Sequence, residues 1–179
     1  MRKLLLFFLT TFALMSCDKD DDTPQTLPEA TQTGRGIFAC YVNGKPFIDN
    51  SGSPNGISFN CYYQLIDGEY YFGIGGQKIV DDLRTVNLFT TAKTIAEGEF
   101  LILQENLDGN AWGAARFNTQ TIGGDESYTN SEYTGELYIT KFDFENRIIS
   151  GTFSMNIQHP VSGETVEIRE GRFDTNFGL

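Results

Sequence analysis

The first cysteine of the chain stands beside its densest cluster of carboxylates. Cys17 is followed at once by the sequence DKDDD, residues 18–22, and thiolates and carboxylates are groups that bind metal ions. The aspartates alternate as calcium ligands do in an EF-hand loop. That loop needs glycine at its sixth position, where this chain has Thr23, and it needs flanking helices that this stretch does not predict. We therefore exclude a calcium site, and no metal-binding residue is predicted.

The sequence also offers little to a catalytic site. His159 is the one histidine, whereas zinc sites usually need several His or Cys ligands; a Ser-His-Asp triad would have to use it without a G-x-S-x-G motif. The chain is therefore expected not to be an enzyme, with no catalytic residue and no cofactor. A less favoured alternative is carboxylate-based glycoside hydrolysis, for which two acidic pairs lie close in sequence: Glu97 with Glu99, and Asp143 with Glu145.

Aromatic side chains are the stronger candidates, since 13% of the residues are Phe, Trp or Tyr. Exposed together on one sheet face, such rings would form a platform for sugar rings or a protein-binding surface. Two of them have specific structural alternatives: Tyr62 would cover its cross-strand glycine, and Trp112 would close one end of the core. The candidate ligand-binding aromatics are Tyr62, Tyr71, Trp112, Tyr128 and Tyr133.

The elements that position these residues are strands. From residue 36 onward, short runs rich in Ile, Val, Phe, Tyr and Thr alternate with Asn-Gly, Asp-Gly and Ser-Gly pairs, a pattern typical of antiparallel hairpins with tight turns. We expect an all-β fold with a single antiparallel domain of about ten strands over residues 36–179. A β-sandwich is preferred over a closed calycin-like barrel.

The turns also predict which residues face each other. Around Asp67-Gly68, turn geometry and apolar alternation agree in pairing Tyr63 with Phe72 and Tyr62 with Gly73. Around Ser162-Gly163 the predicted features are the pairs Ile157–Ile168 and Phe153–Phe173 and a β-bulge at Glu170-Gly171. Asn43-Gly44 and Asp108-Gly109 predict two more hairpins: Ile37–Val42 with Lys45–Ile48, and Phe100–Glu105 with Ala111–Phe117.

Cys40 and Cys61 share their strand faces with apolar residues, so both should point into the core. In an oxidising compartment a disulfide between them would contribute about 3 kcal/mol in the loop-entropy model. Two buried free thiols, acting as small apolar residues, are the alternative. Strand adjacency decides between the two.

Residues 1–16 have the features of a signal peptide, with a basic start and then an uncharged run too short to span a bilayer. The sequence LMSC, residues 14–17, resembles the lipobox of bacterial lipoproteins, which implies that Cys17 receives a diacylglyceryl thioether and becomes the mature N-terminus. Residues 17–35 would then be the lipidated cysteine and a disordered acidic tether. The acidic run resembles the signals that export some lipoproteins of Gram-negative bacteria to the outer face of the outer membrane; a periplasmic face is the alternative.

The charge of the chain excludes one class of partner. Removing residues 1–16 removes two basic residues and no acidic one, which leaves 24 acidic residues against 11 basic ones and a net charge of −13. Nucleic acids require surfaces rich in Lys and Arg. The expected partners are instead the membrane, through the lipid on Cys17, and a glycan or an envelope protein.

Three stretches carry a resemblance to a family: YVNGKPF (residues 41–47), SGTFSM (residues 150–155) and GETVEIREGRFD (residues 163–174). They resemble an uncharacterised family of small β-rich envelope lipoproteins of Gram-negative bacteria. The resemblance implies a lipobox followed by a β-rich domain, and it carries no activity or site residue with it. From the residues we expect the β-domain to bind glycan or protein; a barrel that carries a small apolar ligand is the alternative.

The lipidation of Cys17 is directly testable. We expect mass spectrometry of membrane-fraction protein to show an acylated N-terminal cysteine, because two or more acyl chains anchor a protein stably. Cys17→Ala should release the protein from membranes. An intact Met1 end in a soluble fraction of the unaltered protein would contradict the prediction.

Overall fold

In a computed structural model, residues 26–49, 61–119 and 125–179 are described. In these ranges the chain forms β-strands and no helix, so the prediction of an all-β fold is confirmed. It follows that the described residues provide no helix long and apolar enough to cross a bilayer. The strands are β1 (Ile37–Val42), β2 (Lys45–Ile48), β3 (Cys61–Ile66), β4 (Glu69–Val80), β5 (Leu83–Thr90), β6 (Phe100–Leu103), β7 (Ala111–Phe117), β8 (Asp125–Tyr128), β9 (Gly135–Asp143), β10 (Ile148–Gln158) and β11 (Thr165–Asn176).

The strands are hydrogen-bonded into one curled sheet that forms a half-barrel. Its order is β2-β1-β11-β10-β9-β6-β7-β5-β4-β3, and β8 pairs with β7 outside this path. The sheet is mixed, because β6 and β7 run parallel, which corrects the prediction of a purely antiparallel domain. Neither a sandwich nor a closed barrel is confirmed.

The ends of this path are short or covered. At one end, the four-residue β2 carries Pro46 and packs against β4. At the other end, Gly178 forms two backbone hydrogen bonds with β3: Tyr63 N–H donates to the Gly178 carbonyl, and Gly178 N–H donates to the Cys61 carbonyl. Curling therefore leaves little unpaired strand edge at these two ends.

Two predicted hairpins are confirmed residue by residue. The Asp67-Gly68 turn pairs Tyr63 with Phe72 and Tyr62 with Gly73, and the Asn43-Gly44 turn joins β1 to β2 at the predicted bounds. Both residues of each turn have positive φ, as a type I′ turn requires. Local sequence therefore specified these registers.

The Ser162-Gly163 hairpin has a different register from the predicted one. Its connection is six residues long, so Ile157 faces Val166 and not Ile168. The bulge does lie at residues 169–170, but Phe153 faces Gly171 and not Phe173. A Cβ at Gly171 would lie 2.6 Å from the Phe153 ring, so that ring needs the glycine. Glu170, with φ of 50°, takes the left-handed conformation instead of Gly171.

The prediction of a hairpin at Asp108-Gly109 is wrong. β6 pairs antiparallel with β9 and meets β7 in parallel, at Leu103 and Ala111 alone. One edge of β7 pairs with β5, and the other is shared between β8 and this single pair. β7 therefore has no edge left for a hairpin with β6. Phe100 and Ile102 are exposed because they alternate with buried Leu101 and Leu103 along β6.

The inner face of the sheet is filled with apolar side chains. Large apolar side chains there are almost fully buried, among them Phe47, Phe72, Phe117 and Phe173. Cys40 and Cys61 are buried in this core as free thiols. Their strands are not neighbours, because β1 pairs with β2 and β11 whereas β3 pairs with β4. In this structure the two cysteines are therefore separate thiols and not a disulfide.

The last part of the supposed tether lies against the sheet, which corrects the prediction of disorder through residue 35. The Asp174 side chain on β11, 1% exposed, is the anchor. Burial would raise the pKa of this carboxyl, but its hydrogen bonds, the Thr31 hydroxyl foremost, outweigh burial and hold the pKa below its ordinary value. The donors to the two oxygens are the hydroxyls of Thr31 and Ser150 and the backbone N–H groups of Thr33, Gly34 and Arg35.

The core thiols should be unreactive in the folded protein. Burial raises the pKa of Cys40 to about 12 and also raises the pKa of Cys61, and the thiolate is the reactive form. In a Cys17→Ser variant we expect Ellman's reagent at pH 8 to label no thiol in buffer and two in urea. A disulfide would give none in urea, and rapid labelling in buffer would show that the thiols are not buried.

Asp174→Asn should loosen the N-terminal segment, because an amide NH₂ would face hydrogen-bond donors. We expect urea denaturation at pH 7 to show a loss of about 2–4 kcal/mol, and Thr31→Val, which removes one donor, a loss of about 1 kcal/mol.

Asp174→Asn should also change how the stability of the protein depends on acidic pH. Because the folded pKa of Asp174 lies below the unfolded value of about 3.9, its contribution is present above that value and is lost as the pH falls through the folded pKa. This part of the acid destabilisation should be absent from Asp174→Asn. Equal stability of the variant and the unaltered protein at pH 7 would contradict this role of Asp174.

Candidate functional site

A row of aromatic side chains crosses the sheet in register. Tyr62 on β3 faces Gly73 on β4, Gly73 faces Phe89 on β5, and Phe89 faces Trp112 on β7. On β8, Tyr128 faces the residue two positions beyond Trp112. We call Tyr62, Phe89, Trp112 and Tyr128 the aromatic row.

The row lies on the outer face of the sheet. The residues on either side of Tyr62, Phe89 and Trp112 along their strands are buried, and successive side chains of a strand point to opposite faces. Tyr128 is 45% exposed and the other three rings are half-buried. Trp112 therefore stands on the surface and does not close the end of the core.

Neighbouring groups hold the rings of the row in place. The rings of Phe89 and Trp112 are stacked, with centroids 4.3 Å apart, and those of Trp112 and Tyr128 lie 5.9 Å apart. The Trp112 indole N–H donates to the Thr91 hydroxyl at 2.9 Å. The Tyr128 hydroxyl donates to Glu126 at 2.7 Å, and this hydrogen bond, followed by burial, raises the pKa of Tyr128.

Tyr62 has the structural role proposed for it and also lines a groove. A Cβ on Gly73 would lie 2.5 Å from the Tyr62 ring, so the ring rests on the glycine. Asn87 lies over Gly75 in the same way, within 1.9 Å of a hypothetical Cβ. Between Tyr62 and Phe89 these glycines leave a groove of about 250 Å³.

The structure brings three of the five predicted aromatics into the row. Tyr71 is on the same face of β4, two residues before Gly73 and opposite Gln64. Tyr133 is in the β8–β9 loop, where its N–H donates to Asn130. Neither one has the register position that Tyr62, Phe89 and Trp112 share through Gly73. Phe89 was missed, although it alternates with the apolar residues of β5 and so could have been assigned to an outer face.

The carboxylate pairs considered for hydrolysis are engaged in other contacts. Glu97 lies 3.6 Å from Lys141, and Glu99 lies 3.5 Å from Lys93. Asp143 accepts hydrogen bonds from Asn146, which lower its pKa. Across the described ranges, no three His, Cys, Asp or Glu side chains are grouped so that they could hold a metal ion.

His159 orders the β10–β11 loop. Its Nδ1 accepts from the backbone N–H groups of Val161 and Ser162, its Nε2 lies 2.7 Å from an Asp82 oxygen, and its ring meets the edge of Phe117. Because Nδ1 accepts two hydrogen bonds, the ring proton belongs on Nε2, facing Asp82. These contacts account for the histidine without a catalytic role.

A larger groove lies elsewhere on the outer face. It has about 410 Å³ and lies across β6, β9, β10 and β11, between the exposed rings of Phe100 and Tyr138 and beneath Ala30 of the N-terminal segment. None of the aromatics that the sequence singled out lines it. Its exposed rings are therefore separate from the aromatic row.

Comparison with protein-family models, with curated proteins and with solved structures finds no match for this chain.

Proposed function

We propose that this protein is a lipid-anchored envelope lipoprotein that faces the cell exterior and binds a glycan along the aromatic row. The observation that carries the proposal is the register that places Tyr62, Phe89, Trp112 and Tyr128 in line on the outer face. The signal-like residues 1–16 and the lipobox-like sequence before Cys17 support the anchor.

The shape of the row favours a sugar chain. From β3 to β8 it spans four strand spacings, about 19 Å, and it is one side chain wide. A sugar ring presents a flat C–H face with a polar rim, and Tyr and Trp likewise combine an apolar face with a polar edge. A stable protein partner would bury about 800 Å² on this surface, far more than a single line of half-buried rings offers.

The rings are also pre-positioned for binding. Stacking between Phe89 and Trp112, the Thr91 hydrogen bond and the glycine beneath Tyr62 already restrict the side chains. A ligand that stacks on them therefore loses little free energy to side-chain ordering.

The N-terminal segment leaves the row accessible. It enters along β10 and β11, where Asp174 holds residues 31–35, whereas the row lies on β3, β4, β5, β7 and β8. A lipid on Cys17 would therefore tether the domain from strands other than those that bind the glycan.

The carrier alternative has no comparable support. The inner face of the sheet is occupied by large apolar side chains, and the small cavity of about 10 Å³ beside Phe38 and Ile74 is too small for an organic ligand. We therefore propose surface binding and not enclosure.

The single tryptophan of the chain lies in the row, so its fluorescence reports binding directly. We expect a panel of soluble oligosaccharides to contain at least one that shifts Trp112 emission. Calorimetry should show affinity for that sugar falling about tenfold or more in Trp112→Ala and Phe89→Ala, since loss of one stacking partner costs about 1–3 kcal/mol.

Tyr138→Ala is the matched control, because it removes an exposed ring from the other groove and should leave the affinity unchanged. If Tyr138→Ala weakens binding while Trp112→Ala does not, the site is wrong. If no oligosaccharide shifts the emission, the proposed function is wrong.

A further inference from the structure

We propose that the glycan is anionic, a carboxylated or sulfated oligosaccharide whose acidic groups bind Arg84 in a groove lined by Lys78, Arg84 and Arg116. The inference rests on the proposed function, since it extends the aromatic row into a neighbouring groove. We call the groove lined by these three side chains the basic groove.

The basic groove continues directly from the aromatic row. It has about 340 Å³ and shares Gln77 and Thr85 with the groove beside Tyr62 and Phe89. Gln77, Thr85 and Arg116 also face one another in register across β4, β5 and β7. Thr85 lies four residues from Phe89 on β5, and Arg116 lies four residues from Trp112 on β7, which is about 13 Å along the strands.

Two register shifts of the sheet lie at basic side chains of the groove. The register of β4 with β5 shifts between Gln77 and Val80, around Lys78. The register of β5 with β7 shifts between Leu83 and Thr85, at Arg84. Bulges break the alternation of side chains and re-aim them, and they are frequent at functional sites.

Three positive charges in one groove stand out in an acidic chain. The chain carries 24 acidic and 13 basic residues, and many described basic residues elsewhere form ion pairs, such as Lys93 with Glu99 and Lys141 with Glu97. Arg84 is exposed and forms no ion pair within the part of the chain that the structure describes. Its guanidinium is free to bind a carboxylate or sulfate with two hydrogen bonds.

The carboxylates near the groove are already engaged. Asp81 forms an ion pair with Lys45, and Asp82 bonds to His159. The Asp49 carboxylate accepts the Gln77 N–H. Glu126 neutralises Arg116 in part, and hydrogen bonds from Tyr128 and Arg116 lower its pKa. Within the described ranges Arg84 is therefore the basic group of the groove that no carboxylate pairs with.

The joint geometry selects among anions. A free phosphate or an acidic peptide would use the charges but not the aromatic row, and a neutral sugar would use the row but not the charges. An acidic oligosaccharide uses both, because its rings stack while its carboxylate or sulfate groups reach the arginines.

The test compares tetragalacturonate with galactotetraose, its neutral counterpart, by Trp112 fluorescence and calorimetry on the full chain. We expect tetragalacturonate or a chondroitin sulfate tetrasaccharide to bind at least about tenfold more tightly than galactotetraose. The affinity for the acidic sugar should fall between 0.05 and 0.5 M NaCl, because salt screens exposed charges.

Arg84→Gln should weaken binding of the acidic sugar about tenfold and leave the affinity for the neutral sugar unchanged. Arg147→Gln is the matched control, because Arg147 is an exposed arginine in the β9–β10 turn and its removal changes the net charge equally. Unchanged thermal unfolding of both variants would show that the fold is intact.

Each remaining outcome decides between the two proposals. Equal affinities for acidic and neutral sugars, or an equal effect of both arginine variants, would overturn the anionic ligand and leave glycan binding in place. A tetraglutamate peptide that binds as tightly as the acidic sugar would also overturn this inference. If no sugar of either charge shifts Trp112 emission, both proposals fail.

Discussion

A buried carboxylate organises the half-barrel. Asp174 on β11 receives hydrogen bonds from β10 and from the segment that precedes β1, so one side chain joins the two strands to the N-terminal approach. An unpaired carboxylate at this depth would be strongly destabilising, and the five donors remove that penalty. The N-terminal segment is thereby held along β10 and β11, away from the strands that carry the aromatic row.

The two faces of the sheet then have different tasks. Apolar residues on the inner face, from Phe47 to Phe173, provide the hydrophobic stabilisation. The outer face carries the half-buried rings of the aromatic row and, beside them, the basic side chains that line the basic groove. Because pairing across strands sets both at once, the register that packs the core also aligns the proposed glycan site.

Local turn chemistry allowed part of this structure to be predicted from sequence. Asn43-Gly44 and Asp67-Gly68 determined their hairpins because both turn residues accept positive φ. Long-range choices were not predictable: β6 pairs with β9, and Thr31 bonds to a residue 143 positions away. Of the site, Tyr62, Trp112 and Tyr128 were identified by residue type. The alternation of β5 could have placed Phe89 on the outer face, but its place beside Trp112 and the basic groove required knowing that β4, β5 and β7 are neighbours.

The short, covered ends of the strand path have a consequence for crowding. An open strand edge is a template on which another molecule can add a strand, and proline, lysine and short length block such pairing. β2 has four residues and includes Lys45 and Pro46, while Gly178 occupies part of the edge of β3. At high protein concentration, many copies could therefore lie side by side without polymerising through these edges, so that the outer face of each remains accessible to soluble ligands.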